Sequence, residues 1–368
     1  MLRKRSKYTI FALLLAAFIA LFFYLRMNKP KQLQRNAYQE WSANFVGTLD
    51  EKTYIKTEET SDGQVTLSEA QGYGMLIAAR AGQQKLASQK DFDRLYQYYL
   101  DNRLPDSQLM SWKQVIAENG EIETFDHNAT DGDLYIAYAL MEAAKVWPKK
   151  ADDYNAQAKA ILEDILAHNY NAELTILTVG DWATEDSKFH SLMRTSDVMP
   201  QQFEEFYQLT QDNTWLQLKD SMLDKLVLMS EQYKTGLIPD FMWVGEDEVK
   251  AAEANAVATE FDGTYSYNAC RVPYHLAQSQ DEKSRAVLGK MLNFFMSTRR
   301  ITAGYELSGK EVHNYQAASF LAPVFYAAQK TAGHDKLVQQ NKFIFMQDLS
   351  KEAYYEMALL TMVALEVF

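Results

Sequence analysis

The chain has 368 residues, of which 47% are hydrophobic and 13% aromatic, and its net charge is −12. That much apolar material excludes a disordered chain, and the acidic balance excludes a nucleic-acid partner, because phosphate binding needs a basic surface. The sole cysteine, Cys270, excludes an internal disulfide framework and any multi-cysteine metal site.

In chain order, the first feature is an uncharged apolar run from Tyr8 to Leu25. Arg3, Lys4, Arg5 and Lys7 precede it, and Arg26, Lys29 and Lys31 follow. At ~1.5 Å per residue the run is just long enough to cross a hydrocarbon core. The upstream positive charge sets the N-terminus in the cytoplasm and the body outside. No small-x-small cleavage site follows, so the segment reads as an uncleaved signal anchor, with a cleaved secretory signal as the other reading. Residues 1–27 are thus read as stub and single transmembrane helix, 28–37 as a polar linker, and 38–368 as one body.

Within the body, apolar residues recur at helical spacing over 69–81, 131–146, 151–167, 202–209, 215–232, 283–297, 317–331 and 349–367. Pro and Gly fall mainly between these segments. The best strand candidate is 174–179. An all-α body of paired helices is expected, and periodicity alone does not separate a barrel from a solenoid.

Three segments set carboxylates beside Gly, Tyr and Ser. The first runs from Thr66 to Met75 and contains Ser68, Glu69, Gly72, Tyr73 and Gly74. Ser68 is a helix N-cap candidate, and Glu69 either answers the helix dipole or performs chemistry. Two glycines so early cost ~1 kcal/mol each in a helix interior, which close approach of a ligand would explain. The second runs from Ala129 to Leu140 with Asp131 and Asp133 around Gly132. Thr130 or Asp131 is its expected cap, and the Ca²⁺-loop pattern with its distal Glu is absent. The third is the acidic, aromatic stretch from Glu260 to Tyr274, with Asp262, Tyr265, Tyr267, Asn268 and Arg271. On its own it reads equally as a surface loop with a salt bridge.

Taken together, these segments resemble glycoside hydrolase family 8. Ser68 to Met75 matches the family's S-E-G-x-G-Y-G-M segment, with Ala70 in place of the first glycine. Ala129 to Ala137, followed by Trp147, matches A-[ST]-D-[AG]-D-x-x-[IM]-A, and Tyr265 to Pro273 matches the tyrosine-rich loop ending in N/D-A-x-R-x-P. Ser111-Trp112 and Arg194-Thr195-Ser196-Asp197 are smaller matches, and the order of all of them is the family's.

The resemblance implies an (α/α)6 barrel and an endo-acting hydrolase that inverts the anomeric carbon of a β-linked polysaccharide. It makes Glu69 the general acid and places Asp131 at the cleaved sugar. Tyr73, Tyr267, Asn268, Arg271 and Asp197 would line the substrate site, with Trp112 as a stacking platform. Where many members carry the general-base aspartate this chain has Asn268, an amide that takes no proton from water. A branch of the family with Asn there draws its base from the preceding loop, so Glu260 and Asp262 are the candidates, with Glu260 preferred. Inversion needs a carboxyl separation of roughly 6.5–9.5 Å to admit a water. No metal or organic cofactor is implied.

Cellulose, mixed-linkage glucan, xylan and chitosan are the expected substrates, and the acidic loop Glu246 to Glu248 favours amino sugars. The anchor points to processing of the cell's own exopolysaccharide. The alternative reading is a catalytically impaired glycan-binding or scaffold protein of a polysaccharide export system. A monomer is expected.

Overall fold

In the computed structural model, which describes residues 29–347 and 353–368 together with Leu15, twelve α-helices alternate between an outer and an inner ring. In chain order they are α1 (29–45), α2 (Ser68–Gln83), α3 (Gln89–Asp101), α4 (Thr130–Val146), α5 (Ala151–His168) and α6 (Pro200–Thr210). The series continues with α7 (Thr214–Glu231), α8 (Val272–Gln278), α9 (Glu282–Ser297), α10 (Ala318–Lys330), α11 (Asp335–Asn341) and α12 (Tyr354–Val367). The even-numbered helices make the inner ring. Successive contacts join α2 to α4, α6 to α8, α8 to α10, α10 to α12, and α12 back to α2. A Lys145–Glu205 ion pair at 2.8 Å ties α4 to α6. This closed double ring is an (α/α)6 barrel.

Sequence explains the two rings. Helices α2, α4, α8, α10 and α12 are buried around nearly their whole circumference, and α2 and α4 are rich in Ala and carry the glycines. Outer helices such as α3 and α9 bury a single stripe, as amphipathic surface helices do. One continuous apolar core fills the space between the rings.

Short antiparallel strands decorate the loops that lead into the inner helices. β1 (Val46–Leu49) pairs with β2 (Lys52–Ile55). β3 (Glu58–Thr60), β4 (Gly63–Leu67), β5 (Lys113–Ile116) and β6 (Ile122–Thr124) form a four-stranded sheet in that order. β7 (Tyr170–Asn171) pairs with β8 (Ile176–Leu177). β9 (Leu192–Arg194), β10 (Phe241–Val244) and β11 (Val249–Ala251) form a sheet ordered β11-β10-β9, with Phe241 opposite Arg194.

The periodic segments coincide with helices to within about two residues, except that α12 begins at Tyr354 and 348–352 lie outside the described residues. Four local readings are corrected. Residues 29–37, read as linker, are helical, because Leu33, Ala37 and Trp41 form a stripe against the body and Gln34 Nε2 donates to the Leu365 carbonyl at 3.2 Å. Helix α3 was not among the periodic segments, although Phe92, Leu95, Tyr98 and Tyr99 form its buried stripe and Ser88 and Asp91 build a reciprocal capping box at its start. The strand expected over 174–179 is only Ile176–Leu177. Neither expected cap forms: α2 follows Leu67 and α4 follows Ala129, so Ser68 and Thr130 already lie inside their helices.

The glycines of α2 and α4 serve helix packing, not approach of a ligand. A Cβ on Gly72 would lie 2.7 Å from Tyr135 Cβ, and one on Gly132 would lie 2.2 Å from Ser68 Oγ. The two inner helices that carry Glu69 and Asp131 are therefore held at backbone contact. Gly132→Ala is expected to lower stability by about 1–3 kcal/mol through overpacking, read as a lower thermal midpoint. An unchanged midpoint would show that the helices have slack there.

The Tyr8–Leu25 run lies outside the described residues apart from Leu15. Among the described residues no helix is long and apolar enough to cross a membrane.

Candidate active site

The first turns of α2 and α4 face each other and bring Glu69 and Asp131 to one guanidinium. Arg271, just ahead of α8, is 1% exposed. Its Nη1 donates to Glu69 Oε1, to Tyr73 Oη at 2.8 Å and to Asp131 Oδ2 at 3.3 Å. Nη2 donates to Asp131 Oδ2 at 3.3 Å, Ser196 Oγ at 2.7 Å and Asn268 Oδ1 at 2.9 Å. Nε donates to the Asn268 carbonyl at 3.3 Å. The planar fork of arginine suits this many-sided role, which an ammonium does not reproduce. Tyr73 also donates to Glu69 Oε1 at 3.2 Å.

Asp131 has a second cation, Arg194 at the end of β9, on its other oxygen. Arg194 also lies 3.9 Å from Asp197, whose carboxylate oxygens are buried and accept no hydrogen bond. Three carboxylates thus share two guanidiniums, and the surplus negative charge favours retention of a proton. Burial, reinforced by the Asp131 charge against the opposing pull of Arg271, raises the Glu69 carboxyl above its ordinary range. Burial also pushes Asp197 up to about 7. For Asp131 burial works in the same direction, but Arg194 and Arg271 outweigh it and hold the carboxyl below its ordinary value. Two adjacent carboxyls with opposed shifts have the signature of divided acid and anion roles.

Of the residues drawn from the sequence, Glu69, Tyr73, Asp131, Asn268 and Arg271 meet in one hydrogen-bonded group. Their exposures divide them. The Glu69 side chain keeps 17% of its surface, while Tyr73, Arg271 and Asp197 are closed to solvent. Each of the three has its polar atoms turned into the protein, behind the carboxyls. They position the carboxyls. Tyr267 is half-buried and reaches the rim, its Oη 3.0 Å from that of Tyr315.

Asp262 is corrected as a base. Its oxygens accept backbone N–H groups of Val257, Ala258 and Thr259 at 2.7, 3.0 and 2.9 Å, and the residue is 1% exposed. It fixes the loop that carries Glu260. Glu260 is exposed. Its neighbour Phe261 packs edge-on against His313, His313 stacks on Tyr315, and Tyr315 meets Tyr267. This row of rings ties the Glu260 loop to the wall that holds Asn268. The turn of Glu246 to Glu248 is a β10–β11 hairpin tip, with the Gly245 carbonyl held by Lys225 Nζ at 2.9 Å.

Trp112, 40% exposed, stands at the mouth. Its carbonyl accepts the Ser68 N–H at 3.0 Å, one residue from the acid, and its N–H donates to the His127 carbonyl at 2.9 Å. A second aromatic group, Trp182, Phe189 and Trp243, packs around β9 and β10 with neighbouring centroids 5.0 and 6.0 Å apart.

Arg194, Ser196, Asp133 and Asp240 complete the setting and were not singled out from sequence as site residues. Asp133 takes the Met110 N–H and Asn128 Nδ2, both at 2.8 Å, and burial pushes it up to about 8. Asp240 gathers the N–H groups of Ser266, Asn268 and Ala269 at 3.0, 3.1 and 2.7 Å, and burial pushes it up to about 7. The available signal was an acid set in an apolar run, Leu237-Ile238-Pro239-Asp240-Phe241-Met242, since a buried acid needs partners.

Comparison with known proteins agrees with this geometry. The family model for glycosyl hydrolases family 8 matches residues 12–367. The chain is 31% identical over 334 residues to a beta-glucanase of Niallia circulans, covering 87% of this chain and 80% of that protein. It is 28% identical over 344 residues to an endoglucanase of a Bacillus species, covering 87% and 72% respectively. The apo structure of a beta-1,3-1,4-glucanase from Paenibacillus sp. X4 superposes with a TM-score of 0.82 at 27% identity, covering 92% of this chain and 91% of that one.

Proposed function

The chain belongs to glycosyl hydrolases family 8 and is a glycoside hydrolase, and we propose that it cleaves a β-glucan internally with inversion, Glu69 acting as general acid and Glu260 as general base. The observation that carries this reading is the Glu69–Arg271–Asp131 group, in which two neighbouring carboxyls share one buried guanidinium and are shifted in opposite directions, Glu69 up by burial and Asp131 down by its two arginines. The names of the relatives, beta-glucanase and endoglucanase, favour a glucan and an endo mode of action. The basic and apolar residues ahead of the body favour an anchored enzyme that faces away from the cytoplasm.

In the reaction, protonated Glu69 gives its proton to the glycosidic oxygen as the C1–O bond breaks. A water attacks C1 from the opposite face and loses its proton to Glu260. Asp131, held ionised, sets a fixed negative charge beside the ring as positive charge develops at C1 and the ring oxygen. Proton exchange with solvent restores both carboxyls.

The test is reducing-end release by the full chain on carboxymethylcellulose, lichenan, xylan and chitosan, with the product anomer followed by NMR. Activity on a glucan with inverted product is expected. Silence on all four with retained glycan binding would overturn hydrolysis in favour of a binding protein. Glu260→Gln is expected to lower kcat by roughly 10²–10⁴-fold, with partial rescue of Glu260→Ala by azide. Full activity in Glu260→Gln would remove it as the base.

A further inference from the structure

The corner just before α4 carries a histidine–carboxylate pair that neither the family motifs nor the mechanism above employs. His127 adopts φ 72°, the left-handed region that a histidine rarely occupies. Such a conformation persists only where the surroundings over-determine it, and here they do. The His127 carbonyl accepts the Trp112 N–H at 2.9 Å. Its ring Nδ1 lies 3.0 Å from Asp181 Oδ1. Next to it, the Asn128 N–H reaches the same Asp181 oxygen at 3.3 Å, and the Asp181 N–H donates to Asn128 Oδ1 at 2.8 Å. Asn128 is itself held by Asp133 at 2.8 Å.

The result is a rigid backbone corner with a ring that stays open. The His127 side chain is 55% exposed, against 25% for Asp181. With Nδ1 turned to the carboxylate, Nε2 is left facing solvent. A histidine whose one nitrogen is fixed by a carboxylate presents the other in a defined state. Through its carbonyl His127 is joined to the backbone N–H of Trp112, whose own carbonyl accepts the N–H of Ser68, the residue preceding Glu69, while the Trp112 side chain stays exposed. A flat apolar platform and a fixed hydrogen-bonding nitrogen, carried by two hydrogen-bonded backbone segments, match the two faces of a pyranose, with its C–H face on the ring and its equatorial hydroxyls at the edge.

We propose that His127, oriented by Asp181, is a specificity residue that hydrogen-bonds an equatorial hydroxyl of the glucosyl unit stacked on Trp112. This rests on the β-glucan reading, and the experiment separates the two. Binding of cellotriose to cellohexaose is measured by calorimetry on the Glu69→Gln chain, alone and combined with His127→Asn. Asparagine accepts the left-handed backbone, so the corner keeps its shape while the ring is lost. A loss of cellohexaose affinity of about three- to tenfold is expected, the size of one hydrogen bond. The loss should vanish when Trp112→Ala is also present, because no stacked sugar remains to be read. Equal affinity with and without His127→Asn would overturn the proposal, as would the same loss on the Trp112→Ala background. Affinity that falls only in step with the unfolding midpoint would also overturn it. A Glu69→Gln chain that binds none of the oligosaccharides overturns the β-glucan reading and this proposal with it.

Discussion

Glu69→Gln is expected to cut kcat on polymeric substrate by roughly 10²–10⁴-fold, the usual worth of a positioned general acid, while the fold and glycan binding persist. Glutamine keeps the size of the side chain and an oxygen that accepts from Arg271 and Tyr73, the two donors that hold Glu69 in place. What it removes is the transferable proton. The loss should therefore depend on the leaving group. An aryl β-glucoside oligomer with a dinitrophenolate leaving group needs little protonation and should be cleaved far better by the variant than a natural linkage. The pH profile gives a second reading. Activity needs Glu69 protonated, so its upward shift by burial moves the alkaline limb of the profile to higher pH than an ordinary carboxyl allows. That limb should disappear in Glu69→Gln. Equal losses on both leaving groups, in step with a lower unfolding midpoint, would reduce Glu69 to a structural residue.

Arg271→Met is expected to be the most destabilising of the variants considered. The guanidinium is buried and serves Glu69, Tyr73, Asp131, Ser196 and Asn268 at once. A methionine fills part of the same volume but supplies neither the positive charge nor any of the donors of the fork. Breaking a buried ion pair by removing one partner costs about 3–5 kcal/mol, because the remaining charges are left without compensation. The deficit should depend on pH. Without Arg271 the Glu69 and Asp131 carboxyls lose a cation and their folded-state pKa values rise. A raised carboxyl favours the fold below its unfolded pKa and loses that favour as pH rises through the folded value. The variant should thus approach wild-type stability near pH 4 and fall furthest behind near pH 8, as read by urea unfolding. A pH-independent difference, or none, would contradict the charge balance described here. Activity should fall with Arg271→Met at every pH, since Glu69 and Asp131 lose their common partner.

How much of this was legible beforehand depended on the kind of interaction. Helices α2, α4, α5, α7, α9 and α10 repeat apolar residues at helical spacing, and their existence followed from that. The short α11 escaped because seven residues carry little period, and α3 escaped although Phe92, Leu95, Tyr98 and Tyr99 repeat at helical spacing, because charged and polar residues surround that stripe. The segment ahead of residue 38 looked like a linker because its polar residues outnumber the apolar stripe of Leu33, Ala37 and Trp41 that docks it. At the site, motif order was enough to bring Glu69, Asp131 and Arg271 forward. It did not distinguish groups that face the cleft from groups behind them. Tyr73 and Asp197 are polar and belong to motifs, yet their burial is set by inner helices from distant parts of the chain. Asp262 and Glu260 are two residues apart, and only the loop's path shows one carboxylate consumed by three amides and the other left exposed.

The barrel closes by joining α12 to α2 and by α1 against the end of α12, where Thr361 Oγ1 donates to the Ala37 carbonyl at 3.4 Å. Tyr355 of α12 donates to the Tyr267 carbonyl at 2.7 Å, and its ring lies 6.4 Å from that of Tyr73 beside the acid. A ribosome makes α2 long before α12, so the support around Glu69 stays unfinished until α12 has emerged. A nascent or C-terminally clipped chain has its acid in place along the sequence but not in space. Catalytic competence should therefore arrive abruptly once α12 has emerged and docked, and the chain carries no partial activity into whatever handling precedes that moment.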